Sequence, residues 1–200
     1  MLKINNGVRQ GGMLSPVLFN LYVDTIITTL KKLEYGCHVN SLYLGCFFYA
    51  DDLILLSASI LELQRMLDTC SIIGIDLGLS FNAKCLMIGP NIKIAPAALS
   101  IDSMPLAWVD EIKYLGVWIR GGKCFDVDFA QTHPKFFVFI NSILYHSKYS
   151  SELVRLSLIE SHCLPLLLYG LECLNFEISK LKLISSWWNS VYGKLFGDHK

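Results

Sequence analysis

Two aspartates, Asp51 and Asp52, stand side by side in the segment FFYADDLILLS, between two apolar runs. Carboxylate oxygens are the ligands that hard divalent cations such as Mg²⁺ require, so paired carboxylates could form part of a metal site. Aspartate also favours turns, because its side chain hydrogen-bonds to nearby backbone, and a doublet of this kind is more often the polar tip of a hairpin. The pair by itself leaves both interpretations open.

The residues on either side predict that the pair lies at the tip of a β-hairpin. Ser41–Tyr49 and Leu53–Leu56 are rich in aromatic and branched apolar residues, as strands are. Because adjacent strand residues point to opposite faces, the two carboxylates cannot both aim at one site unless the turn brings them together. We therefore expect one carboxylate to dominate.

The composition limits what kind of protein this is. The chain has 200 residues, of which 53% are hydrophobic and 17% charged, and its mean hydropathy of +0.45 is higher than that of an average soluble domain. This length suits one domain, or one domain with a small companion. No run reaches the roughly 18 apolar residues of a membrane helix, and the N-terminus lacks the apolar core of a secretory signal. We expect an intracellular protein, cytoplasmic or nuclear, that has no membrane partner.

The charged residues count against a self-sufficient nucleic-acid binder, and the cysteines count against a disulfide-rich or zinc-binding protein. The 17 basic and 17 acidic residues balance, whereas a protein that depends on phosphate contacts is usually basic. A local basic cluster, Lys113, Arg120 and Lys123, remains. The seven cysteines contain no CxxC pair, so neither a disulfide framework nor a zinc site follows from their spacing.

A glycine-rich loop precedes the first predicted helix. In GVRQGGMLSP (Gly7–Pro16), Ser15 can cap a helix and Pro16 suits its first position. Apolar residues then recur at helical spacing, which predicts a helix to about Leu33.

The rest of the chain divides into a strand-rich part and a helical part. A second helix is predicted over Ile60–Ile73, with Gly74 and Gly78 at its end. Short strands follow across residues 79–119, and the glycine-bearing segment 120–126 is the predicted domain boundary. Helical periodicity then returns in three segments, Phe125–Lys148, Ser151–Leu168 and Ile178–Phe196.

Taken in order, these motifs strongly resemble the reverse transcriptases of non-LTR, LINE-type retrotransposons. GVRQGGMLSPVLFNLYVD resembles the loop-and-helix motif of that family, and FFYADDLILLS its metal-binding hairpin. GLSFNAKCLMIG resembles the following lysine motif, EIKYLGVWI the primer-side hairpin, and CLPLLLYGLE a thumb helix. The resemblance spans almost the whole chain, and RQGG with LSP followed by YADD is highly specific.

The resemblance implies an RNA-directed DNA polymerase that uses Mg²⁺ or Mn²⁺. In that chemistry a primer hydroxyl attacks an α-phosphate in line, and two divalent ions hold the attacking and leaving oxygens. Asp51 would be the principal catalytic metal ligand and Asp52 the supporting one. Residues implied to contact nucleotide or template are Arg9, Gln10, Gly11, Gly12 and Lys84, and those implied on the primer side are Tyr49, Ala50, Tyr114, Leu115 and Gly116.

The implied fold is α+β, with a partial polymerase palm over residues 1–120 and a helical, thumb-like region over residues 121–200. The family carries its first metal-binding aspartate on a strand upstream of the glycine loop, and this chain begins just before that loop. We therefore expect a piece that lacks the fingers and the upstream palm strand and is inactive alone. RNA template, DNA primer and dNTP would be partners of the complete parent enzyme. The alternative is a non-catalytic remnant that acts as a nucleic-acid or protein interaction module.

Overall fold

The computed structural model describes residues 11–89, 97–129, 131–171 and 177–197. These residues form helices and short strands, so the predicted α+β class is confirmed. The chain divides into two compact units, Met1–Asp126 and Val127–Lys200. Within the described residues, no helix is both long enough and apolar enough to cross a membrane.

The two units differ in their elements: the first carries two helices and nearly all of the strands, and the second is a helical bundle. The helices are α1 (Ser15–Lys32), α2 (Ile60–Leu77), α3 (Thr132–His146), α4 (Glu152–Leu168) and α5 (Ile178–Phe196). The strands are β1 (His38–Val39), β2 (Leu42–Tyr43), β3 (Cys46–Tyr49), β4 (Asp52–Leu55), β5 (Cys85–Leu86), β6 (Ser100–Ile101), β7 (Met104–Pro105), β8 (Trp108–Val109), β9 (Glu111–Tyr114), β10 (Val117–Arg120) and β11 (Asp126–Asp128).

The core of the first unit lies between α1, α2 and the β3–β4 hairpin. Residues one helical turn apart, Ile26 with Leu30 and Met66 with Cys70, are buried together with Cys46 of β3. A second cluster on another side of α2 joins its Leu67 to Cys85 of β5, Ile101 of β6 and Leu99, which precedes β6. Helix α2 therefore holds the β3–β4 hairpin on one side and the later strands on the other.

The base of the β3–β4 hairpin is held by backbone contacts. The Leu56 N–H donates to Gly45 O at 2.8 Å, and the Cys37 N–H donates to Leu56 O at 2.9 Å. A Cβ atom at Gly36, where φ is +105°, would lie 2.6 Å from the Gly45 Cα atom. Glycine at position 36 thus allows the segment before β1 to pass directly against the hairpin.

The structure corrects the predicted start of α1. The helix begins at Ser15, so the N-cap position belongs to Leu14, and no side chain caps this end. The Ser15 N–H donates instead to Gly12 O at 3.1 Å, because a tight turn already precedes the helix. Pro16 lies in the first turn, as expected.

The structure also corrects the predicted end of α2. The helix continues through Gly74 to Leu77 and ends at Gly78, whose φ of +65° is typical of a helix C-cap. Gly74 lies inside the helix, and the Phe81 ring fills the space beside it, 2.6 Å from where a Cβ would lie. The segment 79–81, predicted to be a strand, is irregular and carries this ring onto the helix.

The first half of α1 leaves its apolar face exposed. Val17, Leu18 and Leu21, which recur at helical spacing, are each more than half exposed. Burial begins one turn later, at Val23 and Ile26. Residues at helical spacing therefore lie on one face of α1, but only those in its second half are buried.

The second unit packs α3, α4 and α5 around one core. Phe136, Ile140, Ile159, Cys163 and Val191 are fully buried in it. Helices α4 and α5 match the predicted segments, but α3 begins at Thr132 instead of Phe125, because residues Asp126–Asp128 form β11.

Candidate active site

The Asp51–Asp52 pair lies at the tip of the β3–β4 hairpin. Its strands are antiparallel, and Tyr49 pairs with Asp52, so Ala50 and Asp51 form a two-residue loop. Asp51 occupies the turn, whereas Asp52 is the first residue of β4. Both side chains are exposed to solvent. The predicted hairpin is therefore confirmed, and the two carboxylates occupy different backbone positions.

The backbone at Ala50 adopts an unusual conformation. Its φ of +53° lies in the left-handed region, which a residue with a Cβ atom occupies at a cost of about 1–2 kcal/mol. Two-residue hairpin loops often require this conformation, and glycine or asparagine usually supplies it. Alanine is the smallest residue with a Cβ, so it keeps the side chain beside the two aspartates small.

The charges of the two carboxylates are not balanced by a salt bridge to any described residue. Within the described residues, neither Asp51 nor Asp52 forms an ion pair with a lysine or arginine side chain. Two neighbouring negative charges without a protein cation form a site that attracts a positive ion.

A second hairpin brings Tyr114 close to Asp52. Strands β9 and β10 are antiparallel, and Tyr114 pairs with Val117 across a loop of Leu115 and Gly116, whose φ values are +44° and +84°. Burial raises the pKa of the Tyr114 hydroxyl above its ordinary value, and the charge of Asp52 and the nearby Tyr49 raise it further. Tyr114 is therefore close enough to Asp52 and Tyr49 for their charges to affect its pKa, which no spacing in the sequence indicates.

The opposite end of the β9–β10 hairpin carries an ion pair. Arg120 Nε lies 3.5 Å from Glu111 Oε2, and these residues also pair across the strands. Sequence reasoning grouped Arg120 with Lys113 and Lys123 as a basic cluster. Since Glu111 balances the charge of Arg120, that cluster is a weaker phosphate-binding surface than the sequence indicated.

The other residues implied by the resemblance lie on other segments of the chain or outside the described residues. Arg9 and Gln10 are outside the described residues. Gly11 has a φ of +77° and open space around the position of a Cβ, and Gly12 accepts the hydrogen bond from Ser15. Lys84 is exposed, immediately precedes β5, and makes no ion pair with either aspartate.

The hairpin supplies fewer than three metal ligands. Across the part of the chain that the structure describes, no three His, Cys, Asp or Glu side chains are grouped closely enough to hold a metal ion. The carboxylate of Asp24, in the middle of α1, is exposed. The pair can contribute oxygen ligands but does not enclose an ion by itself.

Comparison with known proteins identifies a family. The family model described as reverse transcriptase (RNA-dependent DNA polymerase) matches residues 2–119, more than half of the chain. The retrovirus-related Pol polyprotein from a type-2 retrotransposable element of Drosophila melanogaster is 38% identical over 125 residues, which cover 56% of this chain and 11% of that protein. The corresponding polyprotein from a type-1 element of Popillia japonica is 31% identical over 125 residues, covering 57% of this chain and 21% of that protein. The matched region is thus a small part of each relative.

Proposed function

This chain belongs to the reverse transcriptase family of RNA-dependent DNA polymerases, of the non-LTR retrotransposon type, and from that premise we propose that its Asp51–Asp52 hairpin supplies metal ligands for nucleotidyl transfer. The reaction would extend a DNA primer on an RNA template with dNTP substrates. The observation that carries the proposal is the exposed pair of carboxylates at a hairpin tip, with Tyr114 beside Asp52.

The chemistry of the hairpin suits Mg²⁺ or Mn²⁺. Enzymes of this family are nucleotidyltransferases that generally depend on divalent metals. Asp51 would be the principal ligand and Asp52 the supporting one, because their carboxylate oxygens are the donors that such ions prefer. When bound, the ions supply positive charge to the attacking and leaving oxygens.

The residues around the pair would position the primer end. The small side chain of Ala50 leaves room above the hairpin loop, and Tyr49 pairs with Asp52 across the strands. A tyrosine hydroxyl is protonated at neutral pH, so Tyr114 can donate a hydrogen bond near the carboxylates, and its raised pKa extends this to more alkaline pH. Leu115 and Gly116 form the loop next to it, and we assign this tip to the primer.

The nucleotide and template contacts are assigned to residues elsewhere in the first unit. Gly11 is exposed and has no neighbour where a Cβ would lie, so a phosphate or base can approach its backbone closely. The same nucleotide or template would be contacted by Gly12, Arg9 and Gln10. The exposed Lys84 would balance the charge of the leaving pyrophosphate, provided that substrate binding brings the two together.

We assign the two units to two different parts of a polymerase, the palm and the thumb. We assign the first unit, with its hairpins on two helices, to the later part of the palm. The three-helix second unit would be the thumb. The boundary at residues 120–121 stays a prediction.

The described residues provide only a partial metal site, and this favours a chain that does not polymerise by itself. A two-metal mechanism depends on carboxylates that hold both ions, and the described residues group no more than the pair at this hairpin tip. The same observation supports the second candidate function, a non-catalytic interaction module that keeps the fold.

A primer-extension assay tests the proposal. The 200-residue chain and a fusion to the segment preceding the matched region in the Drosophila relative would be incubated with an RNA template, a DNA primer, dNTPs and Mg²⁺ or Mn²⁺. We expect extension by the fusion and none by the chain alone. Extension by the chain alone would refute the partial-site argument. A folded fusion that binds primer and template yet extends nothing would favour the interaction module.

A further inference from the structure

A groove in the first unit lies outside the proposed polymerase site. It has a volume of about 600 Å³ and runs between α2 and the β6–β7 hairpin. The residues that line it combine two carboxylates, three hydroxyls and two isoleucines: Asp68, Asp102, Ser71, Ser100, Ser103, Ile72 and Ile75. None of these residues belongs to the β3–β4 or β9–β10 hairpin, so the groove needs a separate explanation.

Side-chain hydrogen bonds hold the two walls of the groove together. The Gln64 amide binds both backbone groups of Ser100: its Nε2 donates to Ser100 O at 2.8 Å, and its Oε1 accepts from Ser100 N at 2.9 Å. The Ser71 hydroxyl also donates to Asp102 Oδ1. Residues 102 and 103 form the two-residue turn of the β6–β7 hairpin, and both have positive φ. The groove is thus shaped by specific contacts and not by chance proximity.

These contacts also orient the two carboxylates. Asp68 Oδ1 accepts from Gln64 Nε2 at 2.6 Å, and Asp102 Oδ1 accepts from Ser71. Among the described residues, the second oxygen of each carboxylate has no hydrogen-bond partner. Each aspartate therefore presents one fixed oxygen and one that can bind an incoming donor.

The apolar part of the groove is unusually exposed. Ile72 and Ile75 are 64% and 72% exposed, and they share a face of α2 with Asp68 because they follow it by four and seven residues. Adjacent exposed isoleucines rimmed by polar groups are typical of a surface that contacts another protein.

The negative charge of the groove indicates which kind of partner it can bind. Its described lining residues include two carboxylates and no cationic side chain, so this surface repels phosphates and would disfavour RNA or DNA. A guanidinium group can bind carboxylates through several donors at once, and its methylene stem can cover apolar surface. We propose that this groove binds an arginine-bearing apolar segment of a partner protein, with the guanidinium at Asp68 and Asp102 and the apolar side chains over Ile72 and Ile75.

Peptide titration tests this assignment. The probe is the peptide acetyl-LRALRAL-amide, and its control carries citrulline, a neutral analogue, in place of each arginine. Backbone amide signals of the isotope-labelled full chain would be followed by NMR. We expect saturable shifts at Ser71, Ile72, Asp102 and Ser103 with the arginine peptide and much weaker binding of the citrulline peptide. Equal binding of both peptides, or shifts confined to other surfaces, would overturn the proposal.

Substitutions separate the groove from general charge attraction. Asp68→Asn combined with Asp102→Asn keeps the side-chain shapes, removes both charges and should weaken binding about tenfold. Asp76→Asn is the matched control, because Asp76 is exposed on the same helix but does not line the groove. An equal loss in the Asp76→Asn variant would show that net charge alone attracts the peptide. Competition for these signals by a single-stranded RNA would overturn the assignment to a protein partner.

Discussion

The adjacent carboxylates can be separated by substitution, because they occupy different positions in the hairpin. In the active fusion, Asp51→Asn should remove nearly all primer extension, since an amide keeps the shape but loses the charge that holds a metal ion. Asp52→Asn should reduce primer extension less. Single-turnover extension rates measure both effects. Asp24→Asn, which changes an exposed carboxylate on α1, is the control and should extend normally. Full activity of the Asp51→Asn fusion would return the pair to the role of a polar turn.

The electrostatic effect of Asp52 on Tyr114 can be measured without any activity. Burial is the largest cause of the raised pKa of Tyr114, and the charge of Asp52 is the next. Asp52→Asn should therefore lower the pKa of Tyr114 while leaving it above the ordinary value of 10.0, which an NMR titration of the ring signals would follow.

The same shift has a consequence for stability. A pKa raised by folding contributes stability below the ordinary value, and this stability is lost as the pH rises through the folded value. Asp52→Asn should therefore make unfolding less sensitive to alkaline pH. An unchanged Tyr114 pKa would show that Asp52 and Tyr114 are farther apart than the structure places them.

Two glycines inside helices should respond oppositely to the same substitution. Gly74→Ala should destabilise the protein by about 1–3 kcal/mol, because the new methyl group would lie 2.6 Å from the Phe81 ring in a packed core. Gly193→Ala should stabilise it by about 0.5–1 kcal/mol, because nothing lies within 4 Å and alanine favours the helix. Urea unfolding measures both. If both variants were stabilised, helix propensity would outweigh local packing at Gly74. If both were destabilised, local packing would outweigh helix propensity at Gly193.

The exposed face of α1 should control the association of the chain. Replacing Leu14 and Leu21, which are 69% and 68% exposed, with lysine should change the free energy of unfolding by less than about 0.5 kcal/mol and reduce self-association. Ile26→Ala on the buried face should cost about 2–5 kcal/mol and is the contrasting variant. Sedimentation velocity reports the first effect. Unchanged association of the lysine variant would assign it to another surface.

At the scale of the whole molecule, the balanced charge limits the affinity for nucleic acid. With 17 basic and 17 acidic residues, the isolated chain should bind an RNA–DNA primer-template weakly, in the range of roughly 10⁻⁴–10⁻⁶ M at physiological salt. Affinity should fall as salt rises, because the contacts that remain are made to phosphates. Fluorescence anisotropy at several salt concentrations measures both properties. Tight binding that is insensitive to salt would contradict this expectation.

The features that the sequence predicted best depend on neighbours in the chain. Helical periodicity alone located α4 and α5, and two apolar runs around polar residues located the β3–β4 hairpin. The ordered motifs also indicated the reverse transcriptase family, which the matched family model confirms. Each of these signals can be recognised within a short segment, because helix and strand periods repeat every few residues.

Tertiary contacts decided the features that the sequence did not predict. Gly74 looked like a helix end, but Phe81 packs against it and the helix continues. Val17 and Leu18 share helical spacing with Ile26, yet only Ile26 meets the core, since spacing defines a face and not what covers it. The approach of Tyr114 to Asp52 joins residues far apart in the chain. By itself the sequence determined the local helices and strands and the family. The surroundings of each side chain depended on which distant segments pack together. The periodicity of apolar residues within a short segment does not encode that packing.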